Sequence, residues 1–304
     1  MEYRKYMHIE RLGREEVDGI LNGTCYIYPK IDGTNSVLWS ENGDLHAGSR
    51  TRELTLENDN GNFFASIKDN PNFQNYFKDY PSHYLYGEWL IKHSIRYYQD
   101  EAWSKFYVFD VYDKEQERYL AYEEYEPLLQ KYNILCIPLM AKLDNPSLED
   151  LTALVKSNHY LLNDDSKIGE GIVIKNYNYH NRYGRMVYAK IVAEEFFSTK
   201  KDNHKKKTAT IQDEDALIAA IVETFLTESM INKEYEKLAE ELNLERQEVK
   251  REKIIGLLFN RVWHEFLVEE TPAFVKKFKL PIVNFKALRK EVENKVKQVK
   301  SSLF

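Results

Sequence analysis

Between residues 24 and 192 the hydrophobic pattern switches repeatedly between a period of two and a period near three and a half. TCYIYPK (24–30), NSVLWS (35–40) and DLHAGS (44–49) are short β-branched and aromatic runs bounded by turn residues, and they predict strands. Asn42-Gly43 between the last two predicts a two-residue hairpin. NFFASIKD and PNFQNYFKDY predict short helices, whereas HYLYGEWLI and KFYVFDVYD predict aromatic strands. AYEEYEPLLQKY spaces Tyr122, Tyr125, Leu128 and Leu129 as one helical face. SLEDLTALVKSN opens with Ser147 ahead of Asp150, which predicts a capped helix with an acidic first turn. GIVIKNY and RMVYAKIV predict two more strands.

The pattern changes after Phe197. STKKDNHKKKTAT is polar, cationic and aperiodic, as a linker is. Beyond it DEDALIAAIVETFLTESM, NKEYEKLAEELN, RQEVKREKIIGLLFNRVWHEFL and NFKALRKEVENKVKQVK all carry the helical period. The expected organisation is an α+β body over residues 1–203, a basic linker at 204–209 and an all-helical domain over 210–304.

Composition adds limits. The 304 residues, 43% hydrophobic and 30% charged, suit a globular chain of two domains. No apolar run approaches the roughly 20 residues that cross a bilayer, so no membrane association is expected. The start, MEYRKYMHIERLG, lacks the apolar core of a secretory signal. The two cysteines make no metal-spaced pair and the eight histidines are scattered. A cytoplasmic location with buried, reduced thiols is the expectation. A net charge of −6 argues against a protein that coats nucleic acid, but charge is uneven. Residues 271–304 hold nine Lys or Arg against two Glu, and Lys200, Lys201, Lys205, Lys206 and Lys207 cluster in the linker region. These five, with Lys286, Arg289 and Lys290, are candidate contacts for a nucleic-acid backbone.

The sharpest chemical signal is Lys30-Ile31-Asp32-Gly33-Thr34-Asn35, between two expected strands. A lysine is a nucleophile only when deprotonated, and the glycine lets another chain or a ligand approach closely. Taken alone, this run reads more readily as a surface turn with a solvated lysine. An ordered series follows it: Ser49-Arg50, Tyr86-Gly87-Glu88-Trp89, Phe106-Tyr107-Val108-Phe109-Asp110, Glu170-Gly171-Ile172-Val173-Ile174-Lys175, and Tyr188-Ala189-Lys190-Ile191-Val192. In these runs, their order and their intervals, the chain resembles the covalent nucleotidyltransferases: DNA ligases, RNA ligases and mRNA capping enzymes. The resemblance implies an ATP-grasp-like nucleotidyltransferase domain built on antiparallel sheets. It implies Lys30 as the nucleophile that takes AMP, with Arg50, Glu88, Phe109, Lys175 and Lys190 binding the nucleotide and Glu170 binding Mg²⁺ or Mn²⁺. The chemistry suits each. Phe109 offers a face to adenine, Glu88 an acceptor to ribose, Arg50 a planar fork, and Lys175 and Lys190 charge to phosphate.

Only 29 residues precede Lys30, which favours ATP over NAD⁺. The helical pattern after residue 210 is unlike the β-barrel that follows the core in ATP-dependent DNA ligases and in capping enzymes. The sequence is similar to the RNA ligase 2 group, which seals nicks in duplex RNA. In that group the asparagine at position 35 lies near the metal and the reacting ends, with Asp32 beside it. Two positions depart: Asp32 stands where some members have histidine, and Tyr188 where many have a first lysine ahead of Lys190. The expected protein is a monomeric ATP-dependent RNA ligase acting in RNA repair on nicked duplex RNA. Alternatives are an ATP-dependent DNA ligase, a GTP-using capping enzyme, and an inactive nucleic-acid-binding module.

Overall fold

The computed structural model describes residues 3–92, 95–193, 214–242, 244, 249–279 and 281–304. The chain divides into two compact units, Met1–Asn203 and His204–Phe304. The linker expected at 204–209 lies outside the described residues.

In the first unit, alternation along each strand sorts side chains onto two faces. The strands, in chain order, are β1 (Glu10–Arg11), β2 (Thr24–Lys30), β3 (Thr34–Glu41), β4 (Asp44–Ser49), β5 (Glu53–Leu54), β6 (His83–Trp89), β7 (Phe106–Asp113), β8 (Arg118–Tyr119), β9 (Ala141–Asp144), β10 (Gly171–Lys175) and β11 (Ala189–Val192). They form two sheets, ordered β1-β11-β10-β2-β9 and β5-β4-β3-β6-β7-β8. Antiparallel pairing holds as expected, save that β1 runs parallel to β11. The hairpin at Asn42-Gly43 forms, with both residues at positive φ.

Each sheet buries its outer face under helices. Cys25, Ile27, Ile172, Ile174 and Ile191 pack with Leu151 and Val155 of α4 (Leu148–Lys156). Ser147 caps α4 by accepting from Asp150 N at 3.1 Å. Leu38, Leu85, Val108 and Val111 pack against α1 (Phe63–Ile67), α2 (Pro71–Asp79) and α3 (Tyr122–Lys131). The inner faces meet each other. Tyr26, Tyr28 and Val173 of the first sheet lie in one cluster with Tyr107 and Phe109 of the second. The N-terminal segment lies on the inner face of the second sheet, where Tyr6 packs with Val37, Trp39 and Tyr86.

The second unit contains α5 (Glu214–Phe225), α6 (Glu228–Glu241), α7 (Arg251–Lys277) and α8 (Phe285–Val299), and no strand among its described residues. They share one apolar core that includes Ile221, Leu238, Leu258, Phe266, Phe274, Leu288 and Val292. The fold is thus α+β followed by helices. Two boundaries differ from expectation. RMVYAKIV is a strand only over Ala189–Val192. The third long helix does not stop at Leu267 but continues through Pro272 to Lys277, because burying Phe274 on the face of Phe266 outweighs the hydrogen bond that proline removes. No helix among the described residues is long and apolar enough to cross a membrane. Cys25 is buried as expected, but Cys136 is only half-buried, and both are free.

Candidate active site

Lys30 ends β2 on the first sheet and Asn35 lies in β3 on the second, so the loop between them crosses from one sheet to the other. Glycine is obligatory in that crossing. A Cβ on Gly33 would lie 2.5 Å from Trp89 O and 2.9 Å from Glu88 Cγ. Gly33 N instead donates to Glu88 Oε1 at 3.1 Å, and Glu88 stands opposite Asn35 in the ladder. Asp32 turns inward and is 1% exposed. Its Oδ2 accepts from Ile95 N at 3.0 Å, and its own N donates to the Tyr98 hydroxyl at 2.8 Å. Asp32 therefore fastens the loop to residues 95–98 and presents almost no surface to a ligand.

Lys30 Nζ lies 2.5 Å from Glu170 Oε2. The register explains the meeting, since Lys30 pairs with Gly171. The backbone that carries Glu170 is held on both sides. Gly171 has φ +148°, and a Cβ there would stand 1.9 Å from Ile191 O. Asn158, buried to 1%, donates from Nδ2 to Gly171 O at 2.6 Å, and its carbonyl accepts from Gly169 N at 2.7 Å. Glu170 O accepts from Ala193 N at 2.9 Å.

Lys175, expected to bind the nucleotide, lies in the interior between the sheets. It is 1% exposed, its Nζ lies 2.9 Å from Asp110 Oδ1, and it donates to Phe109 O at 2.5 Å. The Tyr28 ring centroid is 4.6 Å away. Asp110 accepts from the Tyr6 hydroxyl on its other oxygen. Burial pushes Asp110 up and Lys175 down, and their mutual attraction opposes both shifts. The amine thus balances the charge of a buried carboxylate. Phe109 is placed by an irregularity. Tyr86 pairs with Asp110 but Gly87 pairs with Val108, which leaves Phe109 as the extra residue of a bulge. Bulges re-aim a side chain, and this one sets the Phe109 ring 5.0 Å from that of Tyr6.

A family model described as RNA ligase matches residues 23–192, more than half of the chain. The chain belongs to the RNA ligase family. No curated protein matches it. Among solved structures it is similar to a mutant of Naegleria gruberi RNA ligase with ATP and Mn, at 19% identity and a TM-score of 0.47, over 65% of this chain and 58% of that one. A mutant of the same protein with AMP and Mn matches at 20% identity and a TM-score of 0.49, over 66% and 59%. The protein with PPi matches at 20% and 0.44, over 64% and 59%. The chain thus spans under two thirds of the length of these proteins.

The RNA ligase match begins beside β2 and ends with β11, so it excludes the N-terminal segment on the inner face of the second sheet. That segment reaches Arg50, which is exposed beyond β4 with Nη2 3.0 Å from His8 Nδ1. Lys190 is half-buried in β11, in register with Val173. Since β10 and β11 alternate together, Lys190 shares the inner face with Lys30 and Lys175. Lys286, Arg289 and Lys290 lie exposed on α8, with Arg289 bonded to Glu293 at 3.0 Å and Asn260 at 2.8 Å. Lys200, Lys201, Lys205, Lys206 and Lys207 lie outside the described residues. Sequence reasoning missed Asn158, Tyr98 and Tyr6. The first two occur in polar or mixed stretches with no periodic signal, and Tyr6 is one of 22 tyrosines.

Proposed function

We propose that this RNA ligase family member is an ATP-dependent RNA ligase that carries AMP on Lys30 and joins RNA 3′-hydroxyl and 5′-phosphate ends. The observation that carries the reading is the Lys30 Nζ–Glu170 contact on a loop that links two sheets, with Lys190 on the same face. Lys30 Nζ attacks the α-phosphorus of ATP and pyrophosphate leaves. The contact with Glu170 has to part first, which frees the nitrogen to attack. AMP then passes to an RNA 5′-phosphate as a 5′–5′ pyrophosphate, and a 3′-hydroxyl displaces it. Such transfers depend on in-line positioning and charge neutralisation. Asp32 and Tyr98 fix the loop that aims Lys30, and Phe109 gives the base a flat surface.

Mg²⁺ or Mn²⁺ fits this donor set. Among the described residues no three acidic, His or Cys side chains gather to hold a metal alone, and a hydrated hard cation needs only one or two carboxylates plus substrate phosphates. Glu170 would hold it, and it would add charge neutralisation at the phosphates.

In this reading residues 1–203 form the adenylyltransferase domain and 210–304 the helical domain. Lys286, Arg289 and Lys290 contact RNA backbone, and the preferred substrate is a nick in duplex RNA. Asn35, opposite Glu88 in the ladder, reads the 3′ side, where the 2′-hydroxyl distinguishes RNA from DNA.

Two measurements test this. Labelled ATP with Mg²⁺, followed by peptide mapping, should place AMP on Lys30. No adduct, or an adduct elsewhere, refutes the mechanism, and preference for GTP points to capping chemistry. A panel of nicked duplexes should show a requirement for RNA at the 3′-hydroxyl side. Equal sealing of an all-DNA nick would make the protein a DNA ligase, and preference for single strands would remove the nick assignment.

A further inference from the structure

The inner face of the first sheet carries four cations besides Arg11 among the described residues, and their positions differ. Lys142, on the edge strand β9, bonds Glu123 at 2.6 Å and is exposed. Lys175 is committed to Asp110. Lys30 is the nucleophile of the proposed reaction, and Lys190 lies half-buried in β11. Position 188 adds no charge. Tyr188 is fully buried, with its ring against Tyr119 and Tyr177 and 5.3 Å from Lys175 Nζ. A single lysine is a poor match for a triphosphate.

The N-terminal segment supplies another cation. Glu10 N donates to Tyr188 O at 3.0 Å and Leu12 N to Lys190 O at 2.9 Å, which fixes β1 beside β11. In that register Arg11 is the partner of Lys190. Register partners in adjacent strands project to the same side, so Arg11 shares the inner face with Lys190 and is half-buried there. Ile9, two residues earlier, packs into the inner-face cluster and confirms the direction.

Position along the sheet decides what Arg11 would meet. Lys190 is two strands from Lys30 and one step along the ladder, because Val173 pairs with Lys190 while Gly171 pairs with Lys30. Arg11 is one strand further out. With strands about 4.8 Å apart, the Cα atoms of Lys190 and Arg11 lie about 12 and about 16 Å from that of Lys30. Lys30, Lys190 and Arg11 therefore form a line of charge that leads away from the nucleophile. In-line displacement puts the leaving oxygen opposite the attacking atom, away from Lys30 Nζ, and this line of charge is what the inner face offers a departing pyrophosphate.

We infer that Arg11 binds the β- and γ-phosphates of ATP and neutralises the pyrophosphate as it leaves, beside Lys190, in the position that Tyr188 cannot serve. This rests on the lysyl-AMP reading above. In the step, the Lys30 Nζ–phosphorus bond forms and the bridging bond from the α-phosphorus to the β-phosphate oxygen breaks. The electron pair stays on the pyrophosphate oxygen next to the guanidinium, and the nucleophile's proton passes to solvent. Arginine suits the task because its planar fork bonds two phosphate oxygens at once.

The proposal separates the three steps of ligation, since pyrophosphate takes part only in the first. Full-length wild type, Arg11→Ala and Arg11→Lys are compared in three assays. These are the rate of lysyl-AMP formation against ATP concentration, the release of ATP when inorganic pyrophosphate is added to the adenylated protein, and sealing of an RNA nick whose 5′ end is already adenylated. Arg11→Ala should slow adenylation on the order of a hundredfold and raise the pyrophosphate concentration for half-maximal reversal at least tenfold. Arg11→Lys should recover part of both. Sealing of the pre-adenylated nick should stay within twofold of wild type. An unchanged pyrophosphate response, or an equal loss in all three assays, overturns the role of Arg11 while the lysyl-AMP reading stands. A wild-type protein that forms no lysyl-AMP overturns both.

Discussion

Asn158→Ala tests whether the arch that carries Glu170 is held from behind. Asn158 touches no group assigned to chemistry. Its amide donates to Gly171 O at 2.6 Å, and its Oδ1 accepts from Tyr160 N at 3.2 Å. Alanine removes both partners at a site 1% exposed. A buried polar group left unsatisfied costs about 1–3 kcal/mol. The Gly171 bond is short and interior, and the Tyr160 bond is longer and half-buried, so the expected loss is about 2–4 kcal/mol. A second effect follows from register. Gly171 faces Lys30, so relaxation at Gly171 moves Glu170 relative to Nζ. Displacements near 1 Å at a reacting centre cost on the order of a hundredfold in rate. Urea unfolding gives the first quantity, and single-turnover formation of lysyl-AMP, in the variant confirmed folded, gives the second. A stability loss under about 0.5 kcal/mol with wild-type adenylation would refute the reasoning, because the two hydrogen bonds would then hold nothing that matters.

Three further outcomes are expected. Lys175→Met should destabilise the first unit by about 3–5 kcal/mol by leaving Asp110 buried without its counter-charge, and a thermal melt within a degree or two of wild type would contradict that account. Gly171→Ala should cost about 2 kcal/mol or more, since φ +148° and an Ile191 carbonyl 1.9 Å from the new Cβ force the β10–β11 ladder apart; an unaltered denaturation midpoint would show that the strand adapts freely. The two hydrogen bonds from Arg118 hold the Glu124 carboxyl at about 2 against an ordinary 4.5. The contribution of Glu124 to stability is therefore whole above pH 4.5 and is lost as pH falls through about 2. Carboxyl NMR titration should find that low value in wild type and a rise in Arg118→Ala, and no rise would remove Arg118 as the cause.

Much of this was legible in the order of residues, for identifiable reasons. β2, β3, β4, β6 and β7 announce themselves as short β-branched and aromatic runs bounded by turn residues, and the Asn42-Gly43 turn carries its own backbone signature. The run of motifs fixed where Lys30 and Glu170 would occur, and the register brings them together. The failures also have causes. β1 is two residues long, with no period to detect. The helix through Pro272 hides because Glu269 and Glu270 are buried where its apolar face should continue. Nothing local reveals that Lys175 meets Asp110 across the two sheets. Nor does anything local reveal that the Asp32 carboxylate accepts from Ile95 N. Pairings between residues distant in sequence are the information that a linear reading lacks.

The β1–β11 pairing bears on how this architecture could be rewired. Glu10 and Ala189 are neighbours across a ladder, so the first and last strands of the unit lie side by side. Because the two run parallel, the end of β11 and the start of β1 lie at opposite ends of the pair, so a bridge that closed the unit into a ring would have to cross back along the sheet, a connection of about a dozen residues or more. The ring could then be cut at the exposed Asn42-Gly43 turn, which joins two strands but contributes no side chain to the site. Such a permuted unit would keep Lys30 against Glu170 while reversing which of the two a ribosome makes first. The pocket is defined by adjacency in two sheets, and the familiar order of its motifs is inherited from one of several possible threadings.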